Sequence, residues 1–179
     1  MRVIAACEEA DGTDWTVYGN DTDNLTVQTA VPWGNRTGQA VQFDKVNGAA
    51  GLTYAAVYKT IAVGNLATFT PLDRIYAHIY ITTLTNVAST FIRLGSDRDT
   101  NYVEWRFTDT DHTINQWNVM SARLGDCIPL ISGTGVDRRT LNTIVVGVIM
   151  DGEANTLTGA EFIAFDSVWL ARVKPTKDD

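Results

Sequence analysis

Residues 74–82 read Arg-Ile-Tyr-Ala-His-Ile-Tyr-Ile-Thr. Ile75, Ala77, Ile79 and Ile81 alternate with Tyr76, His78, Tyr80 and Thr82. Successive side chains of a strand point to opposite faces, so this stretch predicts a strand with one aliphatic and one aromatic, polar face. The aliphatic face belongs to a core and the other to an outer surface. The same period of two recurs on both sides of it. Upstream, Val41 and Phe43 alternate in a strand followed by a turn at Asn47-Gly48, and Leu52 to Lys59 reads as another strand. Downstream, Thr90 to Leu94 meets Gly95-Ser96-Asp97 and returns through Tyr102 to Thr108, with Val103, Trp105 and Phe107 on one side, which predicts a hairpin. Thr143 to Met150 is a β-branched run turned by Asp151-Gly152. Glu161 to Val173 then closes the chain, with Phe162, Ala164, Val168 and Leu170 assigned to one face and Ile163, Phe165 and Trp169 to the other. Strands this apolar belong in the middle of a sheet.

Helical periodicity is nearly absent, and Gly, Asn and Asp break the alternation every ten residues or so. Eight or nine short strands with irregular connections predict an all-β fold, a two-sheet antiparallel β-sandwich of the jelly-roll type. A chain of 179 residues, 45% of them hydrophobic, suits a single domain, since roughly 100–200 residues per domain is usual. The expected domain is 1–179, with the sandwich over about 7–173 and short extensions at Arg2 to Ala6 and Lys174 to Asp179. The 14 Lys and Arg against 21 Asp and Glu give a net charge of -7. That balance opposes phosphate backbones and anionic lipid surfaces, so nucleic acid is not an expected partner. No apolar run reaches the ~18 residues of a membrane-spanning helix, so no membrane partner is expected. Ile4-Ala5-Ala6-Cys7 matches the end of a lipoprotein signal, but only Met1, Arg2 and Val3 precede it, too few for the apolar stretch such a signal needs. Cys7 and Cys127 are too few for a disulfide framework, and the sequons at Asn20, Asn24 and Asn35 read as loop composition.

A series of short motifs adds a resemblance. Cys7-Glu8-Glu9 leads to Trp15; the Gly38-to-Phe43 strand follows, then Pro71-Leu72-Asp73 before the Ile75 strand. Arg93-Leu94-Gly95-Ser96-Asp97 precedes Asn101-Tyr102, and Gln116-Trp117-Asn118 and Phe165-Asp166-Ser167-Val168 complete the series. Their order resembles the jelly-roll domains of carbohydrate-binding modules, galactose-binding-like domains and virion proteins of tailed bacteriophages. The resemblance implies a structural calcium held between Glu8 or Glu9 and Asp166. Asp166 also stands out by itself, because an unpaired charge on an apolar face is costly. Calcium takes six to eight oxygen ligands, many from the backbone, so side chains nominate only part of such a site.

Catalysis has little raw material. His78 and His112 are the only histidines, and no nucleophile elbow, His-Glu-x-x-His pair or phosphate-cradling glycine loop occurs, so no enzyme is expected. The acidic segments Asp11 to Asp14, Asn20 to Asn24 and Asp109 to Asp111 read as solvated turns. Glycan binding would use aromatic rings for the apolar face of a pyranose, for which Tyr76, His78 and Tyr80 are the candidates. Trp105 is assigned to the core, Trp117 to a turn, and Trp15 and Trp33 to loops. Assembly would use Ile163, Phe165 and Trp169, an apolar face that needs a cover. The preferred expectation is a structural virion protein of a tailed bacteriophage, either an outer capsid decoration or stabilising subunit or a tail or fibre component. It would assemble in the host cytoplasm and lie on the outer surface of the virion, with capsid or tail subunits and further copies of itself as partners. The alternative is a carbohydrate-binding module, with a glycan as partner.

Overall fold

The alternation in residues 74–82 is realised as a strand whose Ile75, Ala77, Ile79 and Ile81 are fully buried in the core. The computed structural model describes residues 2–6, 14–28, 40–48, 51–64, 66, 68–131 and 139–173. Within them lie β1 (Arg2–Ala6), β2 (Trp15–Tyr18), β3 (Thr22–Gln28), β4 (Ala40–Lys45), β5 (Tyr54–Gly64), β6 (Arg74–Ile81), β7 (Val87–Gly95), β8 (Asn101–Thr108), β9 (Trp117–Arg123), β10 (Ile128–Ile131), β11 (Leu141–Met150) and β12 (Ile163–Ala171). Single 3-10 turns follow β8 and β9. These twelve strands exceed the expected eight or nine because short pieces such as β2 and β10 carry too few residues to show a period.

The strands form two antiparallel sheets. One runs β3-β4-β12-β6-β9, with β1 paired to the far half of β12; the other runs β10-β8-β7-β11-β5-β2. The chain repeatedly crosses between them, as a jelly-roll sandwich requires. Inward residues of both sheets share one core: Phe43, Ile79 and Phe165 from the first meet Ile92, Trp105 and Val146 from the second. The predicted hairpin forms, with Arg93 opposite Glu104 and Ile92 opposite Trp105. The β-branched run lies between β7 and β5, central in its sheet.

Four expectations are corrected. Arg2–Ala6 is no loose extension but a strand, with Ala5 opposite Val168 and buried in the core. Trp15 opens β2 and points into the core instead of standing in a loop. Asn20 to Asn24 is not simply a solvated turn, because Asp21 is fully buried against Lys45. The fourth concerns β12. Phe165 lies opposite Ile79 and Val168 opposite Ala77, so Asp166 and Ser167 together oppose His78. A bulge of two residues against one resets the phase of a strand. Ile163 and Phe165 therefore face the core before it and Val168 and Leu170 after it, while Trp169 alone of the proposed outer set stays outside. Phe162 and Ala164 instead pack with Tyr80 and Trp117 on the outer side.

His112 follows the first 3-10 turn and is buried, with Nε2 3.0 Å from Thr90 Oγ1. Burial lowers its pKa below the ordinary 6.5, against the opposing pull of Asp111 and Asp109. The folded state then binds protons less readily than the unfolded one, so this contribution to stability is complete above pH 6.5 and is lost as the pH falls below that value. Thermal unfolding followed from pH 8 to pH 5, about 1.5 pH units either side of the ordinary histidine value, is expected to show a steeper loss in the wild type than in His112→Gln.

Candidate functional site

The second sheet carries a polar and aromatic outer surface. On β5, Ala55 and Val57 point inward while Tyr54, Ala56 and Tyr58 point out; β7 sends Phe91 and Arg93 outward, and β8 sends Tyr102, Glu104 and Arg106. Phe91, Gly147, Ala56 and Tyr18 form one row across β7, β11, β5 and β2. The two small residues make room for large ones: a Cβ on Gly147 would collide with the Phe91 ring. Above that ring sits Arg93, whose Cζ is 4.5 Å from the centroids of both Phe91 and Tyr102, 5.7 Å from Tyr54 and 5.9 Å from Tyr18. A guanidinium stacks well on aromatic faces.

Glu104 fixes this cation. Its carboxylate is fully buried, Oε2 accepting from Arg93 Nε at 2.5 Å and Oε1 from Arg106 Nε at 2.5 Å. Burial raises the Tyr102 phenol pKa, and the nearby Arg93 charge only partly offsets that rise. Tyr102 is therefore neutral near pH 7.

The tip of the β7–β8 hairpin completes the site. The Asp97 carboxylate accepts from the backbone N–H of Asp99 at 2.9 Å and of Thr100 at 2.6 Å, and from Asn101 Nδ2 at 2.8 Å. Burial opposes its ionisation, but the donors from Thr100, Asn101 and Asp99 outweigh burial and hold its pKa well below the usual carboxylate range. Gly95 is required at the base, where a Cβ would press on the carbonyls of Asn101 and Asp97. The braced tip reaches across the sheet. Arg98 Cζ lies 4.6 Å from the Tyr58 ring centroid, and Tyr18 Oη donates to Asp99 Oδ1 at 2.9 Å. Burial first, and then the Asp99 carboxylate, push the Tyr18 phenol far above its ordinary value. Tyr18, Tyr54 and Tyr58 are half-buried beside this charged tip.

Of the residues singled out from the sequence, Tyr76, His78, Tyr80 and Trp169 lie on the outer side of the other sheet, and only some meet. Tyr76 stacks on Trp169 at 5.3 Å and 8°, and His78 lies 4.8 Å from the same indole. Tyr80 is buried, stacked on Phe162 at 5.8 Å with Trp117 beside it. These rings pack on one another, and of them only Tyr80 is withdrawn from the surface. Ile163 and Phe165, in the core, offer no surface. Val3 and Val119, 50% and 60% exposed, flank the Tyr76–Trp169 stack and make the patch apolar.

Ser167 Oγ and Asp166 Oδ2 both approach His78 Nδ1, at 3.3 and 3.7 Å. A relay needs the serine and the carboxylate on opposite ring nitrogens, so this cluster is not a catalytic triad. Glu8, Glu9, Cys7 and Trp33 lie outside the described residues, which leaves the calcium expectation resting on Asp166, almost fully buried at the bulge. Among the described residues no three His, Cys, Asp or Glu side chains converge as metal ligands. A polar cleft of about 430 Å³ opens between β8 and β9, with Arg74, Arg106, Asp111 and Ser121 in its wall. Its aromatic residues, Trp105 and Phe107, belong to the core, so it offers charges but no ring platform.

Sequence reasoning missed Tyr18, Tyr54, Tyr58, Arg93, Arg98, Asp99 and Glu104. One signal was available: Tyr54 and Tyr58 fall on the same face of the Leu52-to-Lys59 strand.

No protein-family model matches the chain, and no curated protein does. Solved structures do. A structure of carbohydrate-binding modules from the β-sandwich superfamily matches with TM-score 0.55 and 12% identity over 92% of this chain, which spans 59% of that one. The family 11 carbohydrate-binding module from Clostridium thermocellum, solved with a β-1,3-1,4-mixed-linked tetrasaccharide, matches at TM-score 0.59 and 13% identity, covering 96% of this chain and 95% of that one. An exo-β-agarase matches at TM-score 0.62 and 7% identity over 98% of this chain but only 25% of its own. The shared feature is the fold, an all-β sandwich of the kind found in carbohydrate-binding modules. None of these three is a virion protein.

Replacing Glu104 by Ala leaves Arg93 buried without its carboxylate. Loss of one partner of a buried pair costs about 3–5 kcal/mol. Urea unfolding of Glu104→Ala is expected to show a loss of that order, against a loss near zero to ~1 kcal/mol for an exposed pair such as Arg98 with Asp99.

Proposed function

We propose that this domain binds a neutral polysaccharide on the outer face of the β10-to-β2 sheet. The observation that carries the reading is the meeting of three half-buried tyrosines, Tyr18, Tyr54 and Tyr58, with the rigid Arg98–Asp99 tip. Pyranose rings present an axial C–H face that packs on aromatic carbon, and hydroxyls that pair with carboxylate and guanidinium groups. Here both kinds of group lie side by side. The charges around them balance, Arg93, Arg98 and Arg106 against Asp97, Asp99 and Glu104, which suits an uncharged polyol. The polar groups are also preorganised, which lowers the ordering cost of binding. The resemblance of the fold to carbohydrate-binding modules supports the reading, whereas the role as a bacteriophage virion subunit finds no support in the same resemblances.

The test is affinity electrophoresis against soluble neutral glycans, mixed-linked β-1,3-1,4-glucan, xylan and agarose among them. At least one is expected to retard the wild-type protein. Tyr58→Ala and Tyr18→Ala should weaken that binding about tenfold or more, the equivalent of roughly 1.4 kcal/mol or more, while Trp169→Ala leaves it unchanged. Retardation by none of the glycans, or loss through Trp169 instead of Tyr58, would overturn the proposal.

A further inference from the structure

The described residues hold one buried lysine whose surroundings are those of a metal ion. Lys45 ends β4 and its side chain is 0% exposed. Its ammonium lies 3.1 Å from Asp21 Oδ2, 2.9 Å from the Val46 carbonyl oxygen and 2.9 Å from the Glu153 carbonyl oxygen. One carboxylate and two main-chain carbonyls around a positive charge are the donor types that hard cations take from proteins. Asp21 is 0% exposed as well. Its Oδ2 also accepts the Leu52 N–H at 2.9 Å, while its Oδ1 is buried with no hydrogen-bond partner among the described residues. Gly48 presses on that oxygen so closely that a Cβ there would collide with it.

The groups come from separate parts of the chain. Asp21 lies in the turn between β2 and β3, Val46 directly after β4, Leu52 ahead of β5, and Glu153 in the connection from β11 to β12. Main-chain bonds pin the same place: Val46 N–H to the Asp21 carbonyl at 2.8 Å, and Lys45 and Leu157 exchanging bonds at 3.0 and 2.8 Å. These connections serve both sheets, so a single positive charge ties the two layers at this end of the sandwich.

We propose that the Asp21, Val46 and Glu153 oxygens form a structural cation site that the chain fills with its own Lys45 ammonium, and that truncating the lysine opens the site to a free cation. The class of ligand is a small alkylammonium or a hard metal ion such as calcium. A lysine is a costly occupant unless the cage matches it, since an ammonium removed from water must recover its hydration from fixed oxygens. Its tether removes the need to bind an ion from solution. This inference is independent of glycan binding.

The test compares Lys45→Ala, which empties the cage, with Lys45→Met, which fills it with an uncharged chain. Melting temperatures are measured in tetramethylammonium chloride, whose cation is too bulky to enter, and then in propylammonium chloride or calcium chloride at matched ionic strength. Lys45→Ala is expected to melt below wild type and to regain part of the loss with propylammonium or calcium by mass action. Lys45→Met and the wild type should show no such rise, and adding Asp21→Asn to Lys45→Ala should abolish it. If Lys45→Ala is unfolded in tetramethylammonium, recovery of the folded signal with either cation supports the proposal. It is overturned if neither cation raises the melting temperature or restores folding of Lys45→Ala beyond its effect on wild type, or if Lys45→Met responds equally.

Discussion

The outer surface of the β10-to-β2 sheet depends on one carboxylate. Glu104 is fully buried and divides its two oxygens between Arg93 and Arg106. A carboxylate removed from water in this way is tolerable only when its charge is matched and its lone pairs are used. Arg93 supplies that match and is itself immobilised by it, lying on Phe91 and against Tyr102. Phe91 in turn needs the bare backbone of Gly147 beside it. The arrangement therefore descends in layers, from tyrosines to guanidinium to ring to glycine, each layer requiring the one below. The hairpin tip stands on the same foundation, because β7 and β8, the strands that Glu104 and Arg93 pin together, carry it.

Charge is used differently at Glu104 and at Lys45, two of the places where it is buried. At Glu104 one acid serves two bases and shapes an outer face that a ligand can reach. At Lys45 one base serves one acid and two carbonyls and joins loops through side chains that no solvent reaches. Both lie in a protein whose net charge is -7, so the overall acidity says little about the local fields that organise it. The opposite outer face, around Tyr76 and Trp169, carries a different polar cluster, His78 with Ser167 and Asp166. Its rings stack on one another beside exposed Val3 and Val119.

Period-two alternation made most of the fold legible: Ile75 to Ile81 and Val103 to Phe107 face the way their spacing predicts, and the β-branched run ending at Met150 lies centrally in its sheet as its apolar character predicts. It failed where the period itself breaks. Nothing in Phe165-Asp166-Ser167-Val168 announces that two residues will oppose the single His78, so the faces assigned to Phe162 through Phe165 are reversed while those of Val168 through Leu170 hold. Arg2 to Ala6 looked detachable because strand pairing with a partner more than 160 residues away leaves no local trace. The site was legible only in part. Tyr54 and Tyr58 share a face by simple counting, yet the contact of Arg98 with Tyr58, the bond from Tyr18 to Asp99 and the burial of Glu104 follow from cross-strand register, which the linear pattern does not encode. Asp21 was misread for the same reason: a turn rich in Asn and Asp is usually solvated, and only the approach of Lys45 makes this one internal.

The most direct measurement is a titration of isotopically labelled protein with a mixed-linked β-1,3-1,4-glucan oligosaccharide, followed by nuclear magnetic resonance of the backbone amides and arginine Nε–H groups. Glycan contact at the proposed face predicts that the largest shifts fall at Tyr18, Tyr54, Tyr58, Arg98 and Asp99, with Tyr76, His78 and Trp169 undisturbed. Shifts centred instead on Tyr76 and Trp169, or none at saturating concentrations of this and other neutral glycans, would contradict it.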